Sequence, residues 1–150
     1  MTDPLYDSRS ARFDLPLLFA GQAQKEQFVN EVSCRLDALV HLAVECELAV
    51  PPASPQDGQA WLIASGASGD WSGRVGQIAA RQAGNWLYFA PRDGMRLLNR
   101  ASGQDLRFRD GWIAATRPPN PTGGSIIDAE SRTSIAQILA ALAAAGILPS

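Results

Sequence analysis

The sequence predicts an α+β fold, on three observations. Apolar residues recur at helical spacing over residues 24–39, short strand-like segments separated by closely spaced turn signals fill residues 60–115, and an uncharged helical stretch closes the chain. Four parts follow in order: an arm over residues 1–22, an amphipathic helix over 23–41, a mostly antiparallel β module over 42–117, and a linker with a short C-terminal helix over 118–150.

The arm is rich in Asp, Ser and Arg until Leu15-Pro16-Leu17-Leu18-Phe19. Pro16 removes a donor and biases Leu15 toward extended backbone, and Gly21 breaks the run. Such an arm needs a surface to lie on, either the core of its own domain or a neighbouring subunit. In the helix that follows, Phe28, Val29, Val32, Leu36, Leu39 and Val40 share one face, and Gln24, Lys25, Glu26, Asn30, Glu31, Arg35 and Asp37 fill the other.

After Val40 the rhythm shortens to two, with Val44, Cys46 and Leu48 alternating against Glu45, Glu47 and Ala49, so the helix should end near His41 and a strand begin. Pro51, Pro52 and Pro55 make a stiff linker, and Gln56-Asp57-Gly58 reads as a turn. Strands are expected at 61–64, 76–81, 86–89, 95–99, 104–108 and 112–114, several joined as hairpins through Ala83-Gly84-Asn85, Ser102-Gly103 and Asp110-Gly111. The glycine-rich run from Gly66 to Gly73 has the composition of a mobile hairpin tip. It lacks the lysine and hydroxyl residue of a phosphate loop.

The linker from Pro118 to Gly124 can continue neither a helix nor a central strand. A short strand at Ser125-Ile126-Ile127 precedes a helix for which two starts compete, Asp128 as N-cap or Ser134 with Gln137 as a capping box; Gly146 supplies the stop. Ile135, Ile138, Leu139 and Leu142 form an apolar stripe, alanines fill much of the remainder, and no charge follows Arg132. The helix is therefore buried in its own domain or packed against copies of itself, and at under two heptads it needs support from the β module.

The chemistry points away from catalysis. His41 is the only histidine and has no nucleophile or orienting acid beside it in sequence, Asp128 and Glu130 are accounted for by a helix start, and Arg107 and Arg109 alternate along a strand as a solvated face would. Cys34 and Cys46 show no metal-ligand spacing; they read as small buried apolar residues, with a disulfide between them left open. No cofactor is expected. A net charge of -2 disfavours a dedicated nucleic-acid binder, and no apolar run is long enough for membrane insertion. The start lacks the pattern of a secretory signal, so synthesis in the cytoplasm is expected. Trp71, Trp86 and Tyr88 are the candidates for a glycan-binding platform, against a reading of the aromatics as core or interface.

The pattern LPLLFAGQAQKE…NE…RLDALV, then PPASPQDGQAWLIASGASGDWSG, then IIDAESR…ILAALAAAGIL, resembles a family of uncharacterised phage-derived proteins common in alphaproteobacterial prophages and gene transfer agents. The resemblance covers nearly the whole chain and implies a non-enzymatic structural subunit, similar to the base of the gene transfer agent head spike. Its implied partners are a capsid vertex protein and a spike fibre protein, and its implied form is a homo-oligomer, with a pentamer natural at a five-fold vertex. It also implies release from the cell within the particle. Under this reading Leu17, Leu18, Phe19, Gln24, Glu26 and Asn30 meet partners, and Ile135, Ile138, Leu139 and Leu142 hold the oligomer. Removal of residues 1–20 would then block incorporation and leave the β module folded.

Overall fold

The computed structural model describes residues 9–13, 15, 17–18, 25–125 and 128–149. The expected α+β class holds: among the described residues there are two helices and two small, mostly antiparallel sheets, and the chain divides into two compact units between Pro91 and Arg92.

In the first unit, helix α1 spans Glu26–Leu39, a stretch free of glycine and proline. It stops where Val40 turns extended and His41 takes a left-handed φ of 48°. Its last turn holds no basic residue of its own. Arg12 of the arm supplies one, donating from its guanidinium to the carbonyl oxygens of Asp37 (2.9 Å), Ala38 (2.8 Å) and His41 (2.8 Å).

Two short strands follow, β1 (Ala43–Val44) and β2 (Glu47–Leu48), where the sequence suggested one continuous strand. The segment still runs along β3 (Ala60–Ile63), because Glu45 N donates to Ala60 O and Leu62 N to Cys46 O. β2 and β3 are parallel; β3 pairs antiparallel with β4 (Ile78–Gln82), and β4 with β5 (Asn85–Phe89). The β4–β5 link is two residues, Ala83 and Gly84, both with positive φ as a twisted hairpin demands. All four residues of β3 are buried, as suits a strand covered on both faces.

Trp61 and Ile63 point to one side of that strand and meet Trp71 and Ala79, with Cys46, Leu48, Trp86 and Tyr88 packed around them. Trp71 sits in a 3-10 turn, Gly69–Trp71, and is fully buried. The glycine-rich run is thus no hairpin tip. Its glycines carry the chain round so that Trp71 can enter the core, and Ser68 N ties the turn to Ala49 O. On the other side of the sheet, the Arg35 guanidinium of α1 lies over the Phe89 ring at 5.6 Å.

In the second unit, β6 (Arg96–Asn99), β7 (Gln104–Phe108) and β8 (Trp112–Ile113) pair antiparallel in sequence order. Leu97 and Leu106 face each other across β6 and β7 and are buried. Helix α2, Ala129–Ala144, starts at Asp128, whose carboxylate accepts from Ser131 N (2.8 Å) and Ser131 Oγ (2.7 Å), which settles the choice between the two starts. Gly146, at φ 72°, ends it; a Cβ there would stand 3.3 Å from Gly103 O. Asp105 N donates to Gly146 O, and Gln104 Nε2 donates to Ala115 O and Ile147 O, clipping the end of the helix to β7. The proposed strand at 125–127 falls largely outside the described residues.

Candidate interaction surfaces

Helix α1 presents its faces in the opposite sense to simple amphipathic packing. Asn30, Cys34, Asp37 and Ala38 are its buried residues, while Phe28 is 75% exposed, Val32 57% and Leu36 51%. The arm explains the inversion. Asp37 accepts from Ser10 Oγ (2.6 Å), Arg12 N (2.9 Å) and Phe13 N (2.6 Å), so a carboxylate that is 1% exposed is met by donors from three arm residues. Asn30 works as a two-sided clamp, its Oδ1 accepting from Leu18 N and its Nδ2 donating to Leu18 O, each at 2.8 Å. Polar residues on this face are thus the arm's docking points.

Several expected partner contacts change as a result. Leu17 is 6% exposed and Asn30 2%, so both belong to the interior of their own chain. Leu18 is 36% exposed with its backbone held by Asn30, and Glu26 is half-buried in the first turn of α1. Phe19 and Gln24 lie outside the described residues. The large apolar side chains of α1 are the surface that sequence reasoning passed over. A signal for it existed: Asn30, Cys34, Asp37 and Ala38, at i, i+4, i+7 and i+8, already form a helix face of small and hydrogen-bonding residues suited to close backbone approach.

In α2, Leu139 is buried and Leu142 half-buried, whereas Ile135 is 41% exposed and Ile138 58%. The expected stripe is therefore split, half of it serving its own unit and half of it facing outward.

The aromatic trio does come together, with Trp71 buried and Trp86 and Tyr88 half-buried against it. Trp71 and Trp86 meet edge to face at 5.3 Å, and Trp61 joins them at 5.7 Å from Trp86. The Arg81 guanidinium lies over Trp86 at 5.1 Å and that of Arg74 over Tyr88 at 3.9 Å, while Tyr88 Oη donates to Asp70 O. Burial, the largest influence on Tyr88, pushes its phenol up. A stacking platform needs an open ring face, and Trp71, fully buried, offers none. Its indole Nε1 has no hydrogen-bond partner among the described residues.

The remaining candidate chemistry stays apart. His41 is exposed at the helix end, its carbonyl bound by Arg12 and its ring 6.1 Å from Phe13. Cys34 and Cys46 are free thiols, each pushed up in pKa chiefly by burial. Among the described residues no three His, Cys, Asp or Glu side chains gather closely enough to hold a metal ion, and no helix is long and apolar enough to cross a membrane.

The chain thus commits Asn30 and Asp37 to holding its own arm and leaves the large apolar side chains of α1 facing outward. It belongs to a family of proteins of unknown function, DUF2793, whose match covers residues 29–113. That span takes in most of α1 and every strand, and leaves out the arm and α2. No curated protein matches the chain.

Proposed function

We propose that this protein is a non-enzymatic structural subunit that assembles with copies of itself inside a phage-like particle. The observation that carries the reading is the outward apolar face of α1. Phe28, Val29, Val32, Leu36, Leu39 and Val40 are each at least 37% exposed. Side chains of this size leave on the order of 500 Å² of contiguous apolar surface, the upper end of what a soluble monomer displays and a mark of protein contact. Leu36 and Phe28 face outward while Asn30 and Asp37 are buried, and each of these two polar side chains is satisfied by arm residues. The face is therefore available without any rearrangement of the helix.

Within that reading, the resemblance in the opening and closing motifs supports the finer role of a head spike base in a gene transfer agent. Copies of the chain form a ring at a capsid vertex and carry a fibre that contacts the host surface. A cyclic ring satisfies identical interfaces all round, and five-fold vertex symmetry makes a pentamer the natural count.

Two measurements test the proposal. The purified protein should sediment as a closed oligomer at micromolar concentration; a single-chain mass throughout would end the assembly reading. Particles from a strain lacking the gene should keep their capsids and lose a vertex feature on electron imaging. Unaltered vertices would remove the head-spike role, and release of sugars from envelope material by the pure protein would replace it with an enzyme.

A further inference from the structure

Strand β5 closes its sheet, whose order is β2-β3-β4-β5, so one side of it faces β4 and the other faces no strand. The cross-strand register says which backbone groups lie along that open edge. Arg81 N donates to Gln59 O and Arg81 O accepts from Gly58 N, so the main chain of Arg81 is turned away from β5. Its antiparallel partner Trp86 therefore makes a non-hydrogen-bonded pair with it, as Tyr88 does with Ala79, and both turn their N–H and C=O outward. Among the described residues none of these backbone groups has a partner. Sheets guard such edges with lysine, proline or a bulge, and Asn85-Trp86-Leu87-Tyr88-Phe89, in unbroken register with β4, has none of them.

Side chains give the edge a sign. Trp86 and Tyr88 share one face of β5, both half-buried, and each ring carries a guanidinium: Arg81 lies 5.1 Å over Trp86 and Arg74 3.9 Å over Tyr88. Stacking on the rings holds the two cations beside the edge. Neither guanidinium forms an ion pair or donates a hydrogen bond among the described residues. Asp70, whose main-chain oxygen accepts from Tyr88 Oη, is the acid beside them, one carboxylate against two guanidiniums. Leu87 and Phe89 stand on the opposite face of the strand.

We propose that the open edge of β5 takes up an extended segment of a partner protein in which acidic and apolar residues alternate. Main-chain pairing with Trp86 and Tyr88 supplies the hydrogen bonds of an added strand. Residues of the segment opposite Trp86 and Tyr88 lie on their face and bring carboxylates to Arg81 and Arg74, while the residue opposite Leu87 lies on the apolar face. A guanidinium grips a carboxylate through two parallel hydrogen bonds, so the arginines select acidic strands. A second copy fits less well. Antiparallel pairing of β5 with β5 about Leu87 sets Trp86 across from Tyr88 and carries Arg81 of one chain toward Arg74 of the other, like charge on like. The chain's own alternating segment, Val44-Glu45-Cys46-Glu47-Leu48, is already laid along β3. The site shares no residue with the outward face of α1, so it stands apart from self-assembly.

Two peptides added to the full chain test the edge: acetyl-Thr-Glu-Val-Glu-Val-Glu-Thr-amide, and its counterpart with lysine for every glutamate. The glutamate peptide should bind saturably and at least about tenfold more tightly than the lysine peptide, as two exposed charge pairs changed from attraction to repulsion require. It should also slow amide exchange at Trp86 and Tyr88, read residue by residue by NMR, and leave Leu87, whose amide already pairs with β4, unchanged. Arg74→Gln combined with Arg81→Gln should erase the preference between the peptides; if that variant does not fold, the two peptides on the wild-type chain decide. Equal affinity for both peptides, no saturable binding of the glutamate peptide at millimolar concentration, a preference that survives the double substitution, or unchanged exchange at Trp86 and Tyr88 would each overturn the proposal. Amides of Trp86 and Tyr88 that become protected without peptide as protein concentration rises would overturn it too, and assign the edge to a second copy.

Discussion

Asp37 shows how one side chain can decide the orientation of a helix. Its carboxylate collects the Ser10 hydroxyl and the Arg12 and Phe13 amides, and the same arm segment sends Arg12 back to the carbonyls of the last turn. Removing the acceptor strands these donors, so Asp37→Ala should cost about 3 kcal/mol in a denaturant titration, the combined effect of several charge-assisted bonds left unmade. A loss under a few tenths of a kcal/mol would mean that water replaces the carboxylate freely. Asp128 makes the complementary case at the surface. The backbone and side-chain hydrogen bonds from Ser131 hold its carboxyl below the usual carboxylate range. A carboxyl lowered by folding stabilises the folded state above its unfolded pKa, and that contribution fades as pH falls through the lower, folded value. Helicity measured by circular dichroism should therefore drop on acidification below the ordinary carboxylate range. Asp128→Asn, which still caps but does not titrate, should lack that component.

Elements differed in how much of them the sequence disclosed. The hairpins were legible because their signals are local: closely spaced turn residues such as Gly84 and Gly103 at left-handed φ, and alternation in β7. The N-cap at Asp128 and the stop at Gly146 were local in the same way. The buried face of α1 was not, since Asn30 and Asp37 become core residues only through backbone and hydroxyl donors 12 to 27 residues away in the arm. Trp71 was hidden for a related reason, because its glycine-rich setting reports backbone freedom and says nothing of the tertiary packing that buries the ring. The arm is accordingly a structural element of α1. Deleting residues 1–18 should lower the stability of the first unit, contrary to an expectation of a cleanly folded remnant, and hydrogen exchange over α1 would report it. The β6–β7 hairpin carries its own test. Arg96 lies opposite Arg107, so Arg107→Glu replaces a like-charge pair with an opposite one and should stabilise the isolated protein by about 0.5 kcal/mol. A destabilised variant would show that Arg107 already has a favourable role within the chain.

At the scale of the whole molecule, the two units carry opposite net charge while each turns an apolar helix face outward. Those two features respond differently to salt. Charge attraction between exposed groups is largely screened once the Debye length falls to a few ångström, whereas burial of apolar side chains is not weakened by moderate salt. If copies join through the outward apolar face of α1 with attraction between exposed charges assisting, raising ionic strength from low to near-molar sodium chloride should slow association and loosen the oligomer without abolishing it. Arg107→Glu should reduce that salt dependence, because it removes positive charge from the second unit even as it stabilises the hairpin. Assembly that vanishes entirely at high salt would place the interface on charged surfaces away from the helices. Assembly strengthened by salt at every concentration would leave the apolar face in place and assign the charge asymmetry no part in directing it.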